Sequence, residues 1–179
     1  METNLEFKHK SLVENCKSGS SKAQYELYNL YVDAMFNVGM RFLKSKEDTE
    51  DVVQESFIKA FKSLNTFNFE SSFGAWLKRI VVNNCINFLK LKKIPLLEIK
   101  RDEYSITDEE IPDVSDVNIQ KIKKGIGLLP NGYQHIINLY LMEGYDHNEI
   151  SEILEISVST SKSQYHRAKK KLIEIINTL

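Results

Sequence analysis

The sequence is poor in cysteine and proline and has no long apolar run, and each scarcity excludes a class of protein. Its two cysteines, Cys16 and Cys85, belong to no CxxC pair and no Cys/His cluster. The sequence therefore predicts neither a disulfide framework nor a zinc site, and we expect both cysteines to be buried as small apolar residues. No apolar run exceeds about five residues, far short of the ~20 that cross a bilayer. The opening METNLEFKHK lacks the apolar segment of a signal peptide, so we expect a cytoplasmic protein without membrane insertion.

What the chain does contain is the composition of an ordinary folded protein. Apolar residues make up 42% of the 179 residues and charged residues 27%, which excludes the collagen-like and disordered classes. A chain of this length suits one or two small domains with a core of modest size.

The formal net charge of -1 hides a segregation of charge along the chain. Residues 1–94 carry 14 basic and 11 acidic side chains, residues 95–120 carry 2 and 8, and residues 121–179 carry 8 and 6. Within the two positive parts, residues 73–93 and 158–171 contain no acidic side chain. Either stretch alone fits a solvated helix face as well as a nucleic-acid surface, whereas two of them favour nucleic acid as a partner.

Hydrophobic periodicity predicts an all-α fold made of two small helical domains. In the first domain, apolar residues recur at three- and four-residue steps. They predict a helix that follows Ser20 or Ser21 as the N-cap and ends near Lys44, a second helix over about 47–64, and a third over about 73–93.

The periodic pattern stops after Ile94 and resumes near residue 116. Between them lie Pro95, Pro112 and most of the acidic excess, which predict a flexible acidic linker rather than a helix. We therefore divide the chain into a domain of residues 1–94, a linker of residues 95–115, and a domain of residues 116–179 with four short helices.

The second domain contains the pattern of a helix-turn-helix. Asp146 and Glu149 have the spacing of a capping box, Gly144 is placed for a left-handed C-cap, and Ser157 is placed to cap the final helix. A short helix, a tight turn and a longer basic helix result, and such a second helix fits a major groove about 12 Å wide. A helical hairpin with a solvated polar face remains the alternative interpretation.

The outward face of the final helix carries side chains suited to DNA. Short hydroxyl side chains near its N-terminal end can reach base edges or phosphates, lysine and arginine can neutralise phosphates, and histidine can do either. The predicted DNA-binding residues are Ser159, Thr160, Lys162, Ser163, His166, Arg167 and Lys170. The inward face is expected to consist of Val158, Ser161, Tyr165, Ala168, Leu172 and Ile175.

Three segments carry a family resemblance. Residues 129–172, LPNGYQHIINLYLMEGYDHNEISEILEISVSTSKSQYHRAKKKL, resemble the −35 promoter-binding domain of bacterial RNA polymerase sigma factors. EDTEDVVQESFIKAF, at 47–61, is similar to the family's core-binding helix, and FNFESSFGAWLKRIVVNNCINFLK, at 67–90, is similar to its −10 binding loop and helix. The order, spacing and two-domain length resemble the extracytoplasmic-function (ECF) group.

The resemblance implies a subunit that binds core RNA polymerase, recognises −10 and −35 promoter elements, and helps to open the DNA. By position, Asp51, Gln54, Glu55 and Ile58 would face the polymerase. Acidic side chains near a helix N-terminus also compensate its dipole, an alternative that explains Asp48 better than it explains Asp51 and Glu55.

The resemblance further implies a loop that captures a base flipped from the melted strand. Asn68, Glu70 and Ser71 could bond its edge and Phe69 could stack on its face, whereas Phe67, Phe73 and Trp76 are expected in the core. A positive, amide-rich face would follow on the next helix: Lys78, Arg79, Asn83, Asn84, Asn87 and Lys90.

The resemblance also bears on partners and on departures from the family pattern. Core RNA polymerase and promoter DNA are the implied partners, and an anti-sigma factor is a further partner that the family often has. The acidic linker either is a plain spacer or mimics nucleic acid in the polymerase.

Gln134 and Gln164 stand where Arg is frequent in the family, which alters the base edges or phosphates within reach. Glu155 replaces a common turn glycine, and a left-handed backbone there would cost about 1 kcal/mol.

Other classes of function fit the sequence less well. The four histidines have no metal-ligand spacing and there is no Gly-rich phosphate loop, so we expect no enzyme, metal, cofactor or small-molecule substrate. A stand-alone DNA-binding regulator that uses only the second domain stays open. The basic final helix argues against a purely protein-binding module.

Overall fold

The computed structural model describes residues 9–97 and 119–179, and within these ranges the regular structure is entirely helical. The predicted all-α class is confirmed. The acidic linker predicted at 95–115 lies almost wholly outside the described residues, as does the predicted start of the second domain at 116–118. No helix in the described part of the chain is long and apolar enough to span a membrane.

Four helices build the first unit. They are α1 (Lys10–Lys17), α2 (Ser21–Leu43), α3 (Lys46–Lys62) and α4 (Phe73–Leu91), with a 3-10 turn, Leu64–Thr66, after α3. The bounds of α2, α3 and α4 agree with the predicted helices within two or three residues. Helix α1 was not predicted from the sequence.

Serine side chains start three of these helices. The Oγ atoms of Ser20, Ser45 and Ser72 accept hydrogen bonds from the backbone N–H groups three residues on, at 3.3, 3.3 and 3.2 Å. Each bond satisfies a donor that the first helical turn leaves without an intrahelical acceptor. Lys44, in the left-handed conformation with φ 60°, ends α2 where the sequence predicted.

The core of the first unit lies between α2, α3 and α4. Leu27, Phe42, Phe57 and Leu77 are each at most 2% exposed. Helices α2 and α3 lie close together at Gly39, where an added Cβ would come within 2.7 Å of the buried Thr49 Cγ2. Cys16 and Cys85 are both buried, as expected.

The second unit contains α5 (Ile119–Leu128), α6 (Asn131–Ile137), α7 (His147–Leu154) and α8 (Val158–Asn177). Helix α6 continues into a π-helical turn, Asn138–Met142, and Gly144, two residues after that turn, is left-handed with φ 77°. The predicted left-handed C-cap is thereby confirmed. The core residues Ile136, Ile137, Leu139 and Ile150 are fully buried.

Packing divides the chain into two compact units, Met1–Phe88 and Leu89–Leu179. This division falls in the last turn of α4, six residues before the boundary that we drew from the sequence. The predicted boundary lies later because helical periodicity in the sequence continues through Leu89 and Leu91. The structural division depends instead on which residues are neighbours in space.

Candidate nucleic-acid interface

One side of α3 is exposed and carries the four residues predicted to face the polymerase. Asp51, Gln54, Glu55 and Ile58 recur at three- and four-residue steps and are all exposed, and Ile58 is 54% exposed. We call these four residues the α3 face. Glu55 also pairs with Lys59 one turn on, Oε1 to Nζ 3.0 Å, so that an opposite charge offsets its repulsion from Asp51.

Between the 3-10 turn and α4 lies a loop, residues 67–72, that is anchored by aromatic rings. Phe67 and Phe73 are 3% and 5% exposed, and the half-buried Trp76 has its ring centroid 5.2 Å from that of Phe67 and 5.8 Å from that of Phe73. The expectation that these three rings serve packing is confirmed. They fix both ends of the loop to the core.

Phe69 folds back toward this aromatic cluster. Its backbone is left-handed, with φ 60°, a conformation that costs a bulky residue about 1–3 kcal/mol. Its half-buried ring lies 4.8 Å from the Phe67 ring, and the ammonium groups of Lys10 and Lys17 lie 5.4 and 4.6 Å from its centroid. Stacking of a base on Phe69 stays a prediction, since Phe67 and the two lysines already surround this ring.

The loop nevertheless presents polar side chains to solvent. Asn68, Glu70 and Ser71 are exposed, and they are the residues predicted to bond the edge of a captured base. Their carboxylate, amide and hydroxyl groups offer both donors and acceptors.

Lys17 is a residue of this site that our sequence analysis missed. Its Nζ donates a hydrogen bond of 2.8 Å to the backbone carbonyl oxygen of Phe67. It lies on α1, and the spacing of Leu12, Val13 and Cys16 is the signal that indicates this short amphipathic helix in the sequence. Nothing local in the sequence indicates that α1 contacts the loop.

The exposed side of α4 follows the loop. Arg79, Asn83 and Asn87 recur at four-residue steps and are exposed, while Lys78 and Lys90 are half-buried. We call these five residues the α4 face. They form the positive, amide-bearing surface that the sequence predicted.

Asn84, which we also assigned to DNA, has a different environment. Its Oδ1 accepts a hydrogen bond from Lys59 at 3.0 Å and its Nδ2 donates to Ser56 Oγ at 2.7 Å. Both ends of the amide therefore join α4 to α3 in this structure, and a contact of Asn84 with DNA stays a prediction.

In the second unit, α7, the three residues 155–157 and α8 form a helix-turn-helix. Asp146 Oδ1 accepts from the backbone N–H groups of Asn148 and Glu149 at 2.7 and 2.8 Å, and Glu149 Oε2 accepts from the N–H of Asp146 at 3.0 Å. The predicted capping box is confirmed. These hydrogen bonds lower the pKa of Asp146 below its ordinary value.

The turn has a left-handed residue at the position where the family resemblance implied one. Glu155 is left-handed, with φ 57° and ψ 47°. Ser157 Oγ accepts a hydrogen bond of 3.0 Å from the N–H of Thr160 and so begins α8. The predicted cap is confirmed.

A polar and aromatic contact joins the two helices of the motif. His147 Nδ1 and the buried Ser161 Oγ share a hydrogen bond of 2.9 Å. The His147 ring stacks on Tyr140 with centroids 4.8 Å apart, and Tyr165 lies 4.3 Å from Tyr140. Burial, helped by the charge of Lys162 and opposed by Asp146, lowers the pKa of His147.

The predicted DNA-binding residues lie away from the packed side of α8. Ser159, Lys162 and Lys170 are exposed, whereas Thr160, Ser163, His166 and Arg167 are half-buried. We call these seven residues the α8 face. The packed side consists of Ser161, Gln164, Ala168, Leu172 and Ile176. Of the residues predicted to face inward, Val158, Tyr165 and Ile175 are half-buried, whereas Gln164 and Ile176, which we did not predict on that side, are buried.

Gln134 and Gln164 do not extend this surface. They are 3% and 7% exposed, and Gln134 Nε2 donates to the carbonyl oxygens of Gly127 and Leu129 at 3.0 and 2.6 Å. How the change from Arg to Gln alters contacts with DNA stays a prediction. Gln134 stabilises the end of α5.

Two family models match the chain: sigma-70 region 2 over residues 27–93 and sigma-70 region 4 over residues 119–172. The chain is 32% identical to the ECF RNA polymerase sigma-E factor of Haemophilus influenzae, over 94% of this chain and 95% of that protein. It is 29% identical to the ECF RNA polymerase sigma factor SigW of Bacillus subtilis, over 94% and 96% of the two chains. The chain belongs to the ECF group of RNA polymerase sigma factors.

The fold of this sigma factor also resembles a solved one. The sigma factor RpoE, in a co-crystal structure with the anti-sigma factor NepR from Bartonella quintana, matches with a TM-score of 0.55 at 20% identity, over 86% of this chain and 96% of that one. As a sigma factor, the protein binds core RNA polymerase and promoter DNA and acts in promoter recognition and transcription initiation. The family consists of transcription initiation factors. Helix α1 lies outside the region 2 match.

Proposed function

We propose that this sigma factor divides a promoter between its two helical domains, residues 1–94 and 116–179. The observation that carries the proposal is that each region matched by a sigma-70 model contains a solvent-facing basic surface, the α4 face in the first and the α8 face in the second. Two such surfaces suit two separate DNA elements. The acidic linker 95–115 connects them, as a spacer or as a mimic of nucleic acid within the polymerase.

The α8 face contacts the −35 element. The N-terminal end of α8 carries Ser159, Thr160 and Ser163, short side chains that allow the helix to approach base edges closely. Lys162, Arg167 and Lys170 bind phosphates on either side of the groove, and His166 lies between them. The cap at Ser157 and the contact between His147 and Ser161 support a rigid presentation of this helix.

The 67–72 loop and the α4 face contact the −10 element. Asn68, Glu70 and Ser71 bond the edge of a base flipped from the non-template strand, and Phe69 stacks on its face. The melted strand then follows the α4 face, where Lys78, Arg79 and Lys90 bind phosphates and Asn83 and Asn87 offer amides. Capture of an unpaired base stabilises the open DNA, which is how this factor promotes melting.

The α3 face binds core polymerase. Its acidic and amide groups surround the exposed side chain of Ile58, a combination that suits a partner with basic and apolar residues. Replacing both carboxylates, Asp51→Ala with Glu55→Ala, is expected to weaken association with core about tenfold, as for two rim charges. Lys46→Ala, which removes a charge from the same helix outside this face, is the matched control. Unchanged association of the double variant would contradict the role of the α3 face.

Further partners and properties follow from the family. An anti-sigma factor is a proposed regulator, supported by the solved sigma factor RpoE, which was crystallised with one. We place the protein in the cytoplasm, where core polymerase and promoter DNA are found. We also propose that it has no catalytic activity of its own, and among the described residues no cluster of His, Cys, Asp and Glu could hold a metal ion.

Run-off transcription with core polymerase on a promoter library tests the proposal as a whole. We expect the full-length protein to direct initiation to promoters that share two short elements, one read by each domain. Binding of duplex DNA by the protein alone, with no change in the start sites chosen by polymerase, would instead identify a stand-alone DNA-binding regulator.

A further inference from the structure

The 67–72 loop is attached to a helix that comes 50 positions earlier in the sequence. The ammonium group of Lys17 donates a 2.8 Å hydrogen bond to the carbonyl oxygen of Phe67, across a sequence separation of 50 residues. The same group lies 4.6 Å from the centroid of the Phe69 ring and 6.0 Å from that of Phe67. One lysine therefore contacts both the backbone and the aromatic rings at the start of the loop.

The contact of Lys17 restricts the conformation of the loop. A hydrogen bond to a backbone carbonyl fixes the chain at Phe67, and the cation over the ring favours the inward position of Phe69. Phe69 needs such support because its left-handed backbone is disfavoured for a bulky side chain. With Phe69 held inward, its neighbours Asn68 and Glu70 are turned toward solvent.

We propose that Lys17 is a positioning residue that sets how strictly the −10 base is selected. It acts through the loop and does not itself need to contact DNA. When the Lys17 ammonium is lost, the loop samples other conformations, and the donors and acceptors of Asn68 and Glu70 no longer converge on one base. This inference rests on the proposed role of the 67–72 loop in base capture.

The decisive experiment measures base preference in the assembled holoenzyme. Full-length protein with core polymerase is given promoters that carry each of the four bases at every −10 position, and open-complex formation is followed on each. Lys17→Met keeps the apolar stem but removes the charge. We expect its preference for the selected base to fall about tenfold, as for the loss of one charge-assisted hydrogen bond.

Two further variants separate positioning from stability. Lys17→Arg retains a donor of the same charge and is expected to restore most of the preference. Lys22→Met removes a charge from an exposed lysine at the start of α2 and is expected to change nothing. Affinity for core polymerase is measured in parallel and is expected to be the same for all three variants.

A readout without DNA is offered by Trp76, the one tryptophan of the chain. Its ring centroid lies 5.2 Å from that of Phe67, so loosening of the loop exposes it to water. We expect Lys17→Met to increase quenching of Trp76 fluorescence by acrylamide, and Lys17→Arg to leave it near the wild-type value.

The outcomes distinguish this proposal from the one that it rests on. Unchanged base preference in Lys17→Met, while Asn68→Ala and Glu70→Ala lose theirs, overturns the role of Lys17 and leaves the loop as the reader. A parallel loss of core binding and base preference in Lys17→Met overturns it too, because the role would then be merely structural. If Asn68→Ala and Glu70→Ala also keep full preference, both proposals are wrong.

Discussion

The two candidate DNA surfaces are held in place by different kinds of contact. In the helix-turn-helix, the capping box of Asp146 and Glu149 and the cap at Ser157 are hydrogen bonds between residues at most three positions apart. In the 67–72 loop, the decisive contacts are an aromatic cluster and a lysine from a distant helix. The caps of the helix-turn-helix are local contacts that a sequence reveals, and its two helices are also joined across 14 positions by His147 and Ser161. The loop is held across 50 positions by Lys17, so it depends more on the fold of the first unit.

The largest effect is expected for Phe67→Ala, which removes a ring of the aromatic cluster that anchors the loop. Removing a ring that is 3% exposed is expected to lower the free energy of unfolding of the first unit by about 3–5 kcal/mol, from lost burial and the cavity left behind. Chemical denaturation followed by Trp76 fluorescence measures it. Tyr25→Ala, at a ring that is 70% exposed, is the control and should stay within about 0.5 kcal/mol of wild type. If Phe67→Ala also lowered the free energy of unfolding by no more than about 0.5 kcal/mol, the aromatic cluster would not anchor the loop.

A second test separates the two surfaces by their DNA targets. Arg167→Ala is expected to weaken holoenzyme binding to DNA with only a −35 element, and to reduce the salt dependence of that binding by about one phosphate contact. Arg79→Ala, the matched change on α4, should leave this binding as in the wild type and weaken binding to DNA with an open −10 element. Titrations at several salt concentrations measure both, and an unchanged slope for Arg167→Ala would contradict its assignment.

A third test addresses the local contacts of the second unit. Ser157→Ala removes the cap of α8 and is expected to lower the free energy of unfolding of this unit by about 1 kcal/mol. Ser157→Asn keeps a capping oxygen and should cost much less. Thermal unfolding followed by circular dichroism gives the comparison. Equal losses for the two variants would show that the cap bond itself is not what stabilises the turn.

The smallest expected effect is the pH dependence caused by His147. Because burial lowers its pKa in the folded protein from the ordinary value of 6.5, the unfolded chain binds the proton first as the pH falls. The stabilising contribution is present above pH 6.5 and is lost as the pH falls through the lower pKa of the folded state. The pKa of the Asp146 carboxyl lies below its ordinary 3.8, so its contribution to stability is lost at lower pH than that of His147, and the window from pH 4 to 6.5 is the one to compare. His147→Gln should flatten the curve of stability against pH in this window, and a curve as steep as the wild type would exclude His147 as its cause.

Structural elements that depend on near neighbours were predicted from the sequence, and contacts between helices were not. The all-α class, helices α2 to α4 and the capping box were predicted because each depends on residues within a turn or two of one another. The left-handed backbone of Glu155 was implied by the family resemblance. Helix α1 was missed, although its apolar spacing indicates it. The placement of Asn84 and Gln134 was not predicted either. The sequence pattern of an amide on a helix is the same whether the side chain contacts DNA, solvent or a neighbouring helix.

The sequence by itself determined the helices, their caps and the chemical character of the exposed faces, since helix formation and capping are settled by near neighbours along the chain. Only the tertiary structure decided that Lys17 reaches the Phe67 carbonyl, that Phe69 turns inward, and that Asn84 joins two helices. The hydrogen bonds of Lys17 and Asn84 join residues 25 or more positions apart. The inward position of Phe69 depends on a strained backbone that such contacts hold in place. Their partners are chosen by how the helices pack.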